Sequence, residues 1–199
     1  PAAPPLDLGT ARRAVRRVVR RPSLASPAPV EVARLFSLEG GSARDFGEAV
    51  HALLSEVEGP EPGWPERWRA RGEAEDVVAE AAGCLAAPAL AEVWECAPGT
   101  RVWRERAFEI VLDDAWVTGV FDRVVVRHGP DGRAREAVVF DFKTERLAEG
   151  ADLAAAARRH APQVGLYRRV AAVLTGLPEV AVRAEIVFTA LRRRGPAGA

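Results

Sequence analysis

The chain has 199 residues, almost half of them hydrophobic, which suits one domain of ordinary size with a real core. Its 28 basic and 28 acidic side chains cancel, so it lacks the basic excess usual in free-standing DNA binders. No apolar run approaches the roughly 20 residues that span a bilayer, and residues 1–30 lack the apolar stretch of a signal peptide; a soluble, cytoplasmic protein with no membrane partner is expected.

The chain starts at Pro1 and contains no methionine, which fits a removed initiator or a domain cut from a longer protein. Residues 1–8 are proline-rich and read as a linker, and TARRAVRRVVRR (10–21) reads as a short basic helix broken by RPSLASPAP (21–29). Together they make an extension over 1–41, ahead of a domain over 42–199. From Ser42, the residues Phe46, Val50, Leu53, Leu54 and Val57 recur at helical spacing and predict a helix, ended by EGPEPGWP (58–65). A second helical block spans ERWRARGEAEDVVAEAAGCLA (66–86), and Pro88 opens a short third one.

After residue 100 the texture changes. RVWRERAFEIVLDD (101–114), WVTGVFDRVVVRH (116–128) and AREAVVFDFKTE (134–145) are rich in Val, Phe and Trp and predict three antiparallel strands. The turns between them are DDA (113–115) and GPDG (129–132). ADLAAAARRHAPQVGLYRRVAAVLTG (151–176) is helical, restarting near Pro162 and stopping near Gly176. VAVRAEIVFTA (180–190) closes as a fourth strand. The order predicts an α/β (α+β) core around one mixed sheet of about four strands, flanked by helices, with extra helices in front.

Cys84 and Cys96 lie twelve apart with no CxxC partner, so they cannot alone form a four-thiolate zinc or iron–sulfur site. Two buried free thiols are expected rather than a disulfide.

The basic residues are almost all arginine: Lys143 is the one lysine in the chain. Arg is a planar fork that stays protonated, whereas Lys is a compact point charge suited to handling a water molecule. A surface role would have let Lys143 drift to Arg, so its retention points to chemistry. Along a strand, Val139, Asp141 and Lys143 share one face, and Val138, Phe140 and Phe142 the other. Asp122 sits on the preceding strand between Val120 and Val124, and a GPDG hairpin lets it converge with Asp141 at the sheet end away from the turn. Two carboxylates on apolar strands repel and are costly to desolvate unless a cation lies between them. Oxygen donors favour Mg²⁺ or Mn²⁺ over zinc.

Four blocks in order, GEAVHALL (47–54), GVFDRVV (119–125), VVFDFKT (138–144) and QVGLYRR (163–169), resemble the PD-(D/E)xK nuclease superfamily. More specifically, they resemble the RecB/AddA-type nuclease domain found at the C-terminus of UvrD-like helicases. It covers about residues 42–190; the short D-x-K element alone occurs by chance, but the ordered blocks are more specific. The resemblance implies a restriction-endonuclease-like core and a metal-dependent DNA nuclease, of exonuclease type, in recombination and repair. It implies His51, Asp122, Asp141 and the backbone carbonyl of Phe142 as ligands of Mg²⁺ (or Mn²⁺). It implies Lys143 as the residue that positions the attacking water, with Gln163 and Tyr167 matching a QxxxY signature on one helix face. DNA and a UvrD/Rep-like helicase, fused or recruited, are the implied partners. Phe121 stands where the superfamily name has proline. The cysteines that hold an iron–sulfur cluster in some relatives are missing, so no such cluster is expected, and no helicase motor is present.

Each residue also has a plainer reading. His51 alone is more often a core or surface histidine than a ligand, and Asp141 with Lys143 can be a strand-face ion pair. Glu105 reads first as a solvated strand charge and second as an aid to the metal site. Arg123 either contacts phosphate or faces solvent across the sheet, and the five tryptophans fill core space more often than they stack on bases. For the whole domain the alternatives are a non-catalytic DNA-binding or docking module of a helicase–nuclease complex, or a stand-alone repair or restriction endonuclease.

Overall fold

Two hairpins in mid-chain build the centre of the protein, seen in a computed structural model that describes residues 19–20, 38–148 and 150–196. Strand β1 is the two-residue segment Val19–Arg20. Strands β2 (Thr100–Leu112), β3 (Ala115–His128) and β4 (Ala134–Lys143) follow one another antiparallel. The β2–β3 loop is Asp113–Asp114 with φ of 49° and 58°, the two-residue type whose twist matches that of its strands. Strand β5 (Val182–Phe188) adds parallel to β4, and β6 (Arg193–Pro196) adds antiparallel to β5.

The sheet therefore has five strands of four residues or more, not about four. The short Arg-rich β6 carries no apolar alternation, so its sequence gives no strand signal. β1 makes a sixth, parallel to Trp116 and Val117 of β3, where a basic helix was expected over 10–21; residues 10–18 and 21 lie outside the described residues. Among the described residues no single helix is long and apolar enough to cross a membrane.

Helix α1 (Leu38–Glu56) begins four residues earlier than the apolar stripe predicts, running through Gly40 and Gly41. Glycines cost about 1 kcal/mol each in a helix, which is why the pattern starts after them. The second helical block divides into α2 (Trp64–Ala70) and α3 (Glu75–Ala86), because Gly72 takes a left-handed φ of 86° between them. Pro88–Trp94 is a 3₁₀ helix, so the third short helix is present in a tighter form. Beyond β4 come α4 (Leu153–Arg158), capped by the Asp152 carboxylate, and α5 (Ala161–Thr175), which ends on Gly176 at φ 71°.

Helices pack on both faces of the sheet. Val50, Leu53, Leu54, Trp68, Val78 and Trp94 bury against Val125, Val138, Phe140 and Phe142 on one face. Tyr167, Val170 and Ala171 of α5 bury against Val117, Phe121, Val124 and Val139 on the other. At some 25 cal/mol per Å² of apolar surface removed from water, these two layers dominate stability. Around the sheet's rim, Arg127, Arg183 and Arg194 converge on Glu92 and tie the 3₁₀ helix to β3, β5 and β6. Both cysteines are free, but only Cys84 is buried, its thiol pushed up to about 12 by burial and by Glu80; Cys96 is exposed in a loop.

Candidate active site

Strands β3 and β4 pair as far as Arg123 and Phe140 and then part. Asp122 and Asp141 occupy the two prongs of that fork, at the end away from the GPDG turn. Asp122 bridges the gap: its Oδ2 accepts the backbone N–H of Phe142 at 2.7 Å. Its other oxygen lies 3.6 Å from Nδ1 of His51 on α1. That is too long for a hydrogen bond, so attraction of charge is what the pair offers.

A third donor comes from the other side. The β2–β3 ladder runs from Thr100 and Arg127 to Leu112 and Ala115 and skips only the facing pair Glu105 and Asp122. Glu105 has a φ of 41°, rare for a residue with a side chain and strained by about 1 kcal/mol or more. The irregularity reverses the faces of both strands. Val117 and Phe121 before it, and Val124 and Val126 after it, all reach the α5 side, so odd positions give way to even ones. Ligand atoms of His51, Glu105 and Asp122 consequently lie within 4.8 Å of one another.

Asp141 belongs to an adjoining set. It is 2 % exposed, with its Oδ2 2.7 Å from Nζ of Lys143 and its Oδ1 accepting from Nε2 of Gln163 at 3.2 Å. The Lys143 contact is off-axis, so Oδ2 is buried with an ion pair but no directed hydrogen bond. Gln163 also meets Lys143 at 3.5 Å and the Tyr167 hydroxyl at 3.4 Å. Lys143, Asp141, Gln163 and Tyr167 thus form one polar chain between β4 and α5.

These neighbours shift one another's protons. Burial, then repulsion from Asp122, raises the Asp141 carboxyl to about 6, despite Lys143. Glu105 is raised for the same two reasons. Burial would lower His51, but the Asp122 carboxylate, with Glu105 and Asp141 behind it, prevails and raises it. Tyr167 is held up at about 12 by burial and so stays a neutral phenol.

Two arginines hold α1 against the fork. The Arg123 guanidinium is 1 % exposed and donates to the carbonyls of Val93, Val57 and Glu58 at 2.5 to 2.6 Å. Facing it across the ladder, Arg104 donates to the carbonyls of Ser55 and Glu56. The last carbonyls of a helix lack partners within it; here Arg104 supplies those of Ser55 and Glu56, Arg123 serves Val57 and Glu58 just past the helix end, and both bring positive charge to its negative end. Arg123 therefore neither reaches phosphate nor faces solvent, as either sequence reading had it. One turn before His51, Gly47 lets α1 approach β4, since a Cβ there would stand 2.8 Å from Oγ1 of Thr144.

The structure thus brings His51, Asp122, Asp141, Phe142, Lys143, Gln163 and Tyr167 to one end of the sheet. The ring of Phe142 is in the core, edge-on to His51, while its backbone N–H is taken by Asp122. Glu105, weighed first as a solvated charge, is exposed and is also part of the acid cluster. The Asp113–Asp114 loop carried the signal: once Leu112 pairs with Ala115, counting back places Glu105 opposite Asp122.

Carboxylate oxygens, one imidazole and a buried oxygen without a directed bond fit a hard divalent cation better than a thiophilic one. The chain has no match among curated proteins. The family model of the PD-(D/E)XK nuclease superfamily matches residues 28–197, spanning every element around the fork, and the chain belongs to that superfamily of metal-dependent nucleases.

Proposed function

We propose that this chain is a Mg²⁺- or Mn²⁺-dependent deoxyribonuclease of the RecB/AddA type, acting as an exonuclease in recombination and repair beside a UvrD-like helicase. The observation that carries the reading is the buried Asp141 carboxylate gripped by the chain's one lysine, beside Asp122 and His51 in the same fork. Buried charges of this kind cost stability and are poor scaffold parts, so a module that only docks has no use for them.

His51, Asp122, Asp141 and the carbonyl of Phe142 would hold the cation, with Glu105 in reach of the first two. When bound, the cation supplies positive charge to the scissile phosphate and a more acidic water. Lys143 orients the attacking water with its Nζ, at the end of a side chain that is 23 % exposed. Gln163 fixes that lysine and Asp141 in place through one amide, and the Tyr167 hydroxyl braces Gln163 from below. Neutral net charge gives the domain weak DNA affinity of its own, which is the property a helicase partner would offset.

The test is cleavage of linear and covalently closed DNA, single- and double-stranded, with Mg²⁺, Mn²⁺ or EDTA. Cutting that needs metal and is lost in Lys143→Ala supports the nuclease, and an uncut circle supports exonuclease action. Folded protein that binds Mn²⁺ yet cuts nothing, even with a UvrD-like helicase added, would sink the proposal.

A further inference from the structure

The basic run at Arg101–Arg106 is only partly explained by the site. Arg104 holds the end of α1 and pairs with Glu58, and Arg135 on β4 pairs with Asp131. Arg101, Arg106 and Arg133 make no ion pair among the described residues, in a chain whose charges otherwise largely pair off.

Two of these three open onto one hollow. A cavity of about 450 Å³ at the turn end of the sheet is lined by Arg101, Arg133, His128 and Trp103, with Leu174 and Gly176 from the end of α5 and no acidic side chain. The nearest hairpin carboxylate, Asp131, is already held by Arg135 at 2.7 Å and by the backbone N–H of Arg133. Trp103 is 8 % exposed, and its indole N–H is buried without any acceptor. Leaving such a donor unpaired destabilises the fold. The third free arginine, Arg106, lies 4.0 Å over the same indole ring. The wall lacks an acceptor and the rim lacks anions. One ligand class supplies both.

We infer that this cavity is a second, non-catalytic phosphate site. Guanidinium forks take carboxylates as well as phosphates, but the edge strand β2 joins this hollow to the acid cluster: Arg101 lies four residues before Glu105, and the Arg106 guanidinium reaches back over Trp103 between them. A nucleic-acid strand leaving the acid cluster beside Glu105 can run along that edge past the Arg106 guanidinium, over Trp103, to Arg101. The span from Glu105 to Arg101 is four residues, about 14 Å at 3.4 Å each. The site deepens the nuclease reading and rests on it for the nucleic acid, though not for the phosphate chemistry.

The experiment follows the Trp103 indole ¹⁵N–¹H resonance of the full chain in EDTA, where nothing is cut, assigned with Trp103→Phe. One arm adds an oligothymidylate of about twelve nucleotides and the other adds pyrophosphate. The oligonucleotide should move the Trp103 peak at lower concentration per phosphate than pyrophosphate does. Arg101→Ala/Arg133→Ala, both changes on exposed side chains, should weaken oligonucleotide binding and flatten its salt dependence by about 1.4, roughly 0.7 for each lost phosphate contact on a single strand. A peak moved by pyrophosphate alone would overturn the path along β2 in favour of a free-phosphate site. A still peak in both arms, with an unchanged salt slope in the double variant, would overturn the site altogether. Absence of cutting by a protein whose Trp103 peak responds would remove the nuclease reading and leave this site standing.

Discussion

Asp122 completes with its side chain a ladder that the backbones of β3 and β4 leave open, accepting the Phe142 N–H at 2.7 Å just past the last pair, Arg123 and Phe140. One carboxylate therefore serves the fold and the proposed metal site together, and substitutions separate the two. Asp122→Asn keeps an oxygen for Phe142, whereas Asp122→Ala strands the N–H. Both lose Mn²⁺ binding in a calorimetric titration. Chemical denaturation should find Ala less stable than Asn by about 1–2 kcal/mol. Equal stability would show that the N–H finds another partner.

Asp141 sets the pH behaviour of the metal-free protein. Its pKa rises on folding from 3.8 to about 6, so the folded state binds the proton more tightly than the unfolded one. The stabilisation is complete below the lower value, is lost as pH rises through this window and stays lost above it. Asn does not titrate. In EDTA, Asp141→Asn should gain on the parent by on the order of 2–3 kcal/mol at about pH 8 and by little near about pH 4. Denaturant midpoints at the two pH values measure it. A gain that is equal at both, or larger in acid, would assign the shift to another group.

Lys143→Ala should bind Mn²⁺ at least as well as the parent, since removing Nζ frees the Asp141 oxygen it holds at 2.7 Å. Cleavage should fall by about 10²- to 10⁴-fold, the usual range for losing a positioned proton-handling group. Lys143→Arg should not restore it, because a planar fork does not replace a point charge. Metal affinity lost in parallel with cleavage would make Lys143 a structural counter-ion.

Gly47 and Thr144 should show coupling. Alanine is favoured over glycine by about 1 kcal/mol inside a helix, yet a Cβ at Gly47 stands 2.8 Å from Oγ1 of Thr144. Gly47→Ala should therefore stabilise the Thr144→Ala background by about that amount and give little or nothing in the parent. Thermal unfolding of the four proteins closes the cycle, and additive changes would mean that Thr144 turns aside at no cost.

Arg123→Ala should cost on the order of 3–5 kcal/mol, because it leaves three carbonyls without their donor, two of them buried. Arg123→Lys should recover only part, having no fork to reach three acceptors. Urea denaturation gives both values. A small loss in Ala would mean that water enters to serve Val57 and Val93.

Most of this site was legible because strand arithmetic is strict. Asp122, Asp141 and Lys143 follow from side-chain alternation and one hairpin, and the helix carrying Gln163 and Tyr167 announces itself by Pro162 and Gly176. What escaped did so for physical reasons. Glu105 joins the cluster through a left-handed φ, and nothing in alternation marks where a strand will turn over. Arg123 looked solvated because a lone strand shows no carbonyls; its acceptors come from residues 57, 58 and 93, brought near only by tertiary packing. β6 was invisible because Arg193–Pro196 is held by pairing with β5 and not by its own apolar pattern.

The change of face at Glu105 and Asp122 has a bearing on how freely this protein can be altered. On each strand the side chains that reach the α5 layer follow two alternating rules, and the acids occupy the seam where the rules meet. No hydrocarbon from either layer is required there. Chemistry at the seam is thus insulated from the packing on both sides: Glu105 can be exchanged for another polar donor, and Asp122 for one that still offers the Phe142 N–H an oxygen, while the layers stay filled.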